Sequence, residues 1–122
     1  MEKVLLVEDD SRMLHSLERL LKDSGLDVVS APNGQEAVEL AQKDEFALII
    51  SDVRMPGMDG IEALGKMKTF QPQARKLIIT GYADEDAPVR AIQLSVDDYL
   101  MKPFGSEIFL KSVEQEHLRP QL

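Results

Sequence analysis

Acidic side chains follow two short apolar segments of this 122-residue chain, at the point where each segment ends. Glu8, Asp9 and Asp10 come directly after the first segment, and Asp52 follows the third. If Glu8, Asp9 and Asp52 meet at one edge, they repel each other and raise one another's pKa values unless a cation lies among them. Mg²⁺ binds one or two carboxylates, keeps several waters and accepts phosphate oxygens. The pattern therefore predicts a magnesium site that can also hold a phosphoryl group.

Two later segments end on residues suited to the same chemistry, Thr80 and Lys102. A lysine ammonium can hold an oxyanion, and a threonine hydroxyl can donate a hydrogen bond to it. A carboxylate can attack phosphorus to give an aspartyl phosphate, with the protein supplying position and charge neutralisation. We therefore predict a phosphoryl-transfer site in which Asp52 is the nucleophile. Asp10 is expected to help begin a helix instead.

The segments that position these residues alternate in type along the chain. Helical spacing of apolar residues follows each of five short apolar segments, which we predict to be strands at 3–7, 27–30, 47–51, 76–80 and 98–101. The predicted helices are closed or opened by recognisable residues: Gly25, Asn33, Pro88, Ser106 and Pro120. This order predicts an α/β fold with a parallel sheet covered on both faces. Ligands bind such sheets at the carboxyl ends of the strands, where the strand order reverses.

Composition limits the classes of partner and compartment. A formal charge of −8 argues against direct binding of nucleic acid or anionic lipid, and the absence of cysteine excludes disulfide and thiol chemistry. No apolar stretch approaches the roughly 20 residues of a membrane helix, and no secretory signal is visible. We expect one cytoplasmic domain over residues 1–122, with a linker or tail beginning near 117–122.

Four stretches, "LLVEDD", "IISDVRMPGMDG", "LIITGYA" and "DDYLMKPF", closely resemble the receiver domain of two-component response regulators. The resemblance covers essentially the whole chain and implies a single (βα)5 doubly wound sheet with the flavodoxin-like strand order 2-1-3-4-5. It implies that Asp52 is the phosphoacceptor and that Mg²⁺, for which Mn²⁺ is expected to substitute, binds Asp9, Glu8, Asp52 and the backbone carbonyl of Arg54.

The resemblance also implies a switch. Thr80 contacts the phosphoryl group, Tyr99 turns inward, and Lys102 precedes Pro103 across a peptide bond that is commonly cis in the family. The implied partners are a sensor histidine kinase or phosphotransfer protein and an output domain or protein. A phosphorylation-dependent homodimer would use the face of the fourth helix, last strand and fifth helix. Such a domain is a switch rather than an enzyme, with only Mg²⁺-dependent self-phosphorylation and autodephosphorylation.

Some positions depart from the family pattern. Ser95 and Val96 replace the usual Gly-Ala pair, and Gly81 leaves space beside the phosphoryl pocket. Arg54 and Tyr82 occupy positions that tune loss of the phosphoryl group in the family. We hypothesise a cation–π contact between them that shields the phosphoryl group, an idea that an unchanged autodephosphorylation rate in Arg54→Ala would refute.

Three other classes of protein remain as alternatives. A haloacid-dehalogenase-like phosphatase would need a second acid two residues after Asp52, where Arg54 stands. A flavin carrier would need a Ser/Thr/Gly-rich loop after the first strand, where acids stand instead. A pseudo-receiver that only binds partners would have lost an acid or the lysine, and neither is lost. His15 and His117 are expected to be exposed or interfacial rather than phosphoacceptors.

Overall fold

A computed structural model describes residues 3–52, 60–80 and 96–118 of the chain. Within these ranges the strands are β1 (Lys3–Val7), β2 (Asp27–Ala31), β3 (Leu48–Asp52), β4 (Arg75–Thr80) and β5 (Asp98–Met101). The helices are α1 (Ser11–Asp23), α2 (Gly34–Lys43), α3 (Gly60–Phe70) and a C-terminal helix (Ser106–Leu118). The predicted strands lie within one residue of these bounds. The predicted helix near Pro88 lies outside the described residues.

The ends of the first two helices have the capping residues that the sequence predicts. Asp10 is the N-cap of α1, where its carboxylate accepts hydrogen bonds from two backbone N–H groups, and the Asn33 side chain caps α2 by accepting from the N–H of Glu36. These side chains satisfy donors that a helix leaves unpaired at its start. Gly25 follows α1 with a φ of +88°, a conformation in which other residues are strained.

All five strands are parallel and follow the order β2-β1-β3-β4-β5, which confirms the predicted doubly wound sheet. The chain runs from β1 outward to β2 and then crosses to the other side of β1 to form β3. The order therefore reverses between β1 and β3, whose carboxyl ends lie side by side through the pairing of Val7 with Ser51. A ligand is expected at this edge of the sheet.

The two central strands are buried on both faces. Alternate residues such as Leu5 and Ile49 pack with α2 and α3, whereas Leu6 and Ile50 pack with α1 and the C-terminal helix, including Phe109. Burial of each such side chain contributes about 1.5–3 kcal/mol. The edge at which β1 and β3 end is therefore held by a rigid, continuously apolar platform.

A buried glutamine joins several elements at the opposite edge of the sheet, where β3 begins and the helices α2 and α3 end. Gln71 follows α3, and its side-chain amide donates hydrogen bonds to the carbonyl oxygens of Ala41, at 2.7 Å, and Asp44. Its carbonyl oxygen accepts from the N–H of Phe46 at 3.2 Å. The Gln71 side chain thus ties the end of α2 and the start of β3 to the end of α3.

We expect Gln71→Leu to lower the free energy of unfolding by roughly 3 kcal/mol, because buried backbone groups lose their partners while the volume changes little. Gln73→Leu, at an exposed position two residues away, should change it by less than about 0.5 kcal/mol. Urea titration of both variants measures the difference. Equal stability of the two variants would show that the Gln71 hydrogen bonds contribute nothing net.

Candidate functional site

Three carboxylates meet where β1 and β3 end. Glu8 follows β1 directly and is fully buried, Asp52 is the last residue of β3 and is 4% exposed, and Asp9 is exposed. One carboxylate oxygen from each of the three lies within 4.8 Å of the others. The structure therefore brings together the acids that the sequence analysis placed at one edge.

A single ammonium group neutralises part of this cluster. The Lys102 Nζ donates to Asp52 Oδ2 at 2.6 Å and to Glu8 Oε1 at 2.9 Å. Because β4 lies between β3 and β5, the Lys102 side chain must extend past the end of β4 to reach both acids. Burial alone would lower the pKa of Lys102, but the hydrogen bonds that it donates to Asp52 and Glu8 raise the pKa above its usual value. Lys102 therefore stays charged at neutral pH.

Burial lowers the pKa of a lysine but raises the pKa of a carboxyl group, and Glu8 is such a case. Burial raises the pKa of the Glu8 carboxyl to about 7, the neighbouring charge of Asp52 raises it further, and the hydrogen bond donated by Lys102 offsets part of the rise. The backbone N–H of Asp10 also donates to Glu8 Oε2 at 3.3 Å. Among the residues that the structure describes, Lys102 is the cation that pairs with these acids, and its single charge does not balance two buried carboxylates.

The donor set suits a hard divalent cation. It consists of carboxylate oxygens only, and its excess negative charge is the condition under which a divalent ion binds favourably. Within the described residues, Glu8, Asp9 and Asp52 are the acids that meet in this way. The residues present therefore fit Mg²⁺.

The raised Glu8 pKa predicts a pH dependence of the magnesium-free protein. The folded state keeps a proton on Glu8 up to about pH 7, whereas an unfolded chain releases it near pH 4.5. Protonation thus favours the folded state, and the free energy of unfolding should fall as pH rises through this window. Urea unfolding in EDTA at pH 5.5 and 8 measures the slope, which Glu8→Gln should reduce. The same slope in both proteins would contradict the assignment.

For the other predicted site residues the structure gives a position in the sheet, or they lie outside the described residues. Thr80 ends β4 at the same edge of the sheet, next to β3, whose Asp52 pairs with Ile79. Tyr99 lies in β5 and is 42% exposed. The peptide bond between Lys102 and Pro103 is cis. Arg54, Gly81 and Tyr82 lie outside the described residues, so the interpretations that involve them stay predictions.

The pairing of Lys102 differs from the one expected from the sequence. The ammonium was predicted to hold a bound oxyanion, whereas in the structure Lys102 contacts Glu8 and Asp52 directly. The signal was present in the sequence, because several acids and one lysine at the carboxyl ends of strands in the same sheet imply an ion pair before any ligand binds. His15 is exposed, as expected.

Comparison with known proteins agrees with this geometry. Residues 4–114 match the family described as the response regulator receiver domain. The chain belongs to this family. The receiver domain is 38% identical over 116 residues to the response regulator protein FleR of Pseudomonas aeruginosa, covering 95% of this chain and 24% of that protein. The receiver domain thus spans about a quarter of the length of the first curated relatives that it matches.

Solved structures show the same fold. A CheY-like response regulator receiver domain protein from Methanospirillum hungatei superposes with a TM-score of 0.89 at 28% identity, over 96% of this chain and 94% of that one. The response regulator TrrA from Thermotoga maritima, determined in complex with Mg²⁺–BeF, gives a TM-score of 0.82 at 25% identity, over 95% and 99% of the two chains. The receiver family uses Mg²⁺, and the acid cluster can hold such an ion.

Family membership decides between the alternatives raised by the sequence. The receiver domain is a signalling module of two-component systems, in which such domains interact with histidine kinases and output domains. This excludes the phosphatase and flavin-carrier interpretations. No helix in the described part of the chain is long and apolar enough to cross a membrane.

Proposed function

We propose that Asp52 accepts a phosphoryl group from the phosphohistidine of a sensor histidine kinase or phosphotransfer protein. An Asp52 carboxylate oxygen forms the new bond to phosphorus while the bond from phosphorus to the histidine nitrogen breaks, and that nitrogen keeps the electron pair. The observation that carries this proposal is the Lys102 Nζ, which lies 2.6 Å from Asp52 Oδ2 in a nearly buried cluster. A positive group is therefore already positioned where the charge of a phosphoryl group would appear.

Glu8, Asp9, Asp52 and the backbone carbonyl of Arg54 would hold the metal ion. When bound, Mg²⁺ supplies charge neutralisation for the phosphoryl oxygens, and Mn²⁺, which also prefers oxygen ligands, should substitute for it. Glu8 must lose its proton to serve as a ligand. Lys102 balances part of the remaining charge and orients Asp52 through the 2.6 Å hydrogen bond.

Phosphorylation would then act as a switch. The phosphoryl group carries about −1.5 to −2 charge in place of the −1 of the Asp52 carboxylate, so the negative charge beside Lys102 grows by up to about one unit, and the Thr80 hydroxyl donates a hydrogen bond to the new group. Tyr99, whose side chain is 42% exposed in the unphosphorylated structure, turns inward. This changes the face made by the predicted helix near Pro88, by β5 and by the C-terminal helix. Fluorotyrosine NMR in a Tyr82→Phe background reports this turn, and an unchanged Tyr99 signal after phosphorylation would contradict it.

That face is the proposed contact with an output domain or protein, or with a second copy in a phosphorylation-dependent homodimer. Met101 and Ile108 lie on the same two elements as exposed apolar residues, at 43% and 57% exposure. A coupling free energy of ~1–3 kcal/mol between the phosphoryl group and this face would change partner affinity severalfold to a hundredfold. The domain's charge of −8 means that any nucleic acid would be bound by another domain.

The proposal is tested by incubating the protein with Mg²⁺ and a small acyl phosphate and then measuring its mass. We expect one added phosphoryl group, slow loss of that group, and no addition in EDTA. Self-phosphorylation and autodephosphorylation of this kind are the extent of the proposed catalysis. Absence of any adduct in Mg²⁺ would instead favour a pseudo-receiver that only binds partners.

A further inference from the structure

β5 carries Lys102 at its end, yet few contacts hold this strand in place. Within the described residues it lies at the edge of the sheet and pairs with β4 alone. Leu100 packs against the apolar core, whereas Tyr99 and Met101 are 42% and 43% exposed. Burial specifies the register of a strand strongly where one face is buried, and no residue of β5 is fully buried. A further contact is therefore needed to fix where β5 begins.

Asp97, the residue directly before β5, makes such a contact. Its carboxylate Oδ2 accepts a hydrogen bond from the backbone N–H of Lys76 at 2.7 Å, and its own backbone N–H donates to the carbonyl oxygen of Lys76 at 3.0 Å. Because β5 begins one residue later, the carboxylate takes the place of a strand carbonyl as the acceptor for this N–H. Asp97 thus holds both backbone groups of one β4 residue.

The partner in this contact belongs to a firmly held part of the sheet. Lys76 is almost fully buried, and its ammonium donates to the carbonyl oxygens of Gln71 and Ala74, which binds the start of β4 to the end of α3. Burial lowers the pKa of Lys76, and the charge of Asp97 offsets part of that change, so the two side chains also attract each other. Asp97 therefore fastens an edge strand to a fixed point.

The start of β5 determines where Lys102, directly after this strand, lies. Residues of a strand advance by about 3.3 Å each and alternate between faces, so a slip of one residue would move Lys102 by that distance and reverse its face. Its hydrogen bonds of 2.6 Å to Asp52 and 2.9 Å to Glu8 would not survive such a slip. The neighbouring Asp98 does not fix the register, because its carboxylate accepts from the N–H of Tyr99 in the same strand.

We propose that Asp97 is a positioning residue for Lys102. The hydrogen bond from the Lys76 N–H to Asp97 sets the register of β5, and this register brings the Lys102 ammonium to the acid cluster. β5 is thus held by a side chain at each end, an acid before its first residue and a lysine after its last. The positioning stands on these contacts alone, whereas its effect on phosphoryl transfer rests on the proposed function.

Three variants test the positioning in the magnesium-free protein. Asp97→Ala removes the acceptor, Asp97→Asn keeps an oxygen that can accept from the Lys76 N–H, and Asp98→Ala is the matched control. ¹³C relaxation of the Lys102 ε-methylene group measures how firmly the ammonium is held, and NOEs between β4 and β5 report the register. Asp97→Ala should make this group as mobile as that of Lys43, an exposed lysine on α2, and weaken the NOEs. The other two variants should resemble the wild type, which a general loss of stability would not predict.

The rate of phosphorylation by an acyl phosphate in Mg²⁺ gives a second measurement. Removal of one preorganised donor costs roughly 10²–10³-fold in rate, so a Lys102 that is loosened rather than lost should slow Asp97→Ala by about tenfold, while Asp97→Asn and Asp98→Ala stay within about twofold of the wild type.

The proposal is overturned if Lys102 is as immobile in Asp97→Ala as in the wild type, or if Asp97→Asn is impaired as much as Asp97→Ala. A mobile Lys102 in Asp97→Ala with an unchanged phosphorylation rate would support the positioning and count against the role of Lys102 in the proposed function. The two inferences therefore fail separately.

Discussion

Asp52→Asn should reduce phosphorylation by an acyl phosphate to background, because an amide oxygen is a far weaker nucleophile than a carboxylate. The substitution keeps the size of a side chain that is 4% exposed at the end of β3, so the fold should persist. Mass spectrometry of intact protein in Mg²⁺ measures the adduct, and peptide mapping of the wild type locates it.

Asp10→Asn is the matched control for this prediction. Asp10 neighbours the acid cluster but serves as the N-cap of α1, a position at which asparagine is equally favourable. This variant should be phosphorylated like the wild type. If Asp52→Asn still acquired the group, or if peptide mapping placed it on Asp9, Asp52 would not be the phosphoacceptor.

Lys102→Met should destabilise the magnesium-free protein strongly at pH 8. Removing the ammonium leaves Glu8, fully buried, and Asp52, nearly buried, without the cation that lies 2.9 and 2.6 Å from them. Loss of one partner from such a buried pair costs on the order of 3 kcal/mol. The loss should be smaller at pH 6, because Glu8 is then already protonated in the folded protein and needs no positive partner.

Mg²⁺ should restore much of this loss, since an ion that binds only the folded state stabilises it by an amount that grows with the logarithm of its concentration relative to its dissociation constant. Urea unfolding with and without Mg²⁺, at both pH values, measures the effect. Lys22→Met is the control, because Lys22 is an exposed lysine paired with Glu18 at 3.4 Å and should change stability by only about 0.5 kcal/mol. If Lys102→Met were as stable as Lys22→Met at pH 8 without Mg²⁺, the two ion pairs would contribute no stability.

The parts of the fold that follow from periodic patterns were predictable. β1 and β3 are continuous apolar runs because a parallel sheet covered on both faces requires them, and Asp10 and Asn33 mark helix starts through hydrogen bonds that depend only on local sequence. The location of Glu8 and Asp52 at one edge was predictable because the carboxyl ends of parallel strands meet there and ligands bind at that edge. The nucleophilic role of Asp52 and the magnesium site followed from the residue types at the strand ends, whereas the switch roles of Thr80 and Tyr99 and the Arg54 carbonyl ligand came from the resemblance; all of these roles stay proposals.

The polar residues in the interior were not predictable by such patterns. Lys76 is 5% exposed, and its ammonium donates to the carbonyl oxygens of Gln71 and Ala74 at the end of α3. Lysine and glutamine are usually exposed, and no period identifies the ones that are not. The Gln71 hydrogen bonds join segments 25 to 30 residues apart, so they depend on the tertiary structure, whereas the Lys76 ammonium contacts residues two and five positions away and is buried only once α3 packs on the sheet.

The position of Lys102 has a consequence for where a signal can travel. Lys102 follows β5, the outermost strand on its side of the sheet, yet its side chain ends among acids at the sheet centre. β5 hydrogen-bonds to one neighbouring strand, and its residues are only partly covered. A displacement of this strand therefore breaks fewer contacts than a displacement of β1 or β3 would. Lys102 thus connects the acids at the ends of the buried strands β1 and β3 to the edge strand β5, which can move most easily. A change of charge at the centre of the sheet can therefore displace β5 while the core stays in place.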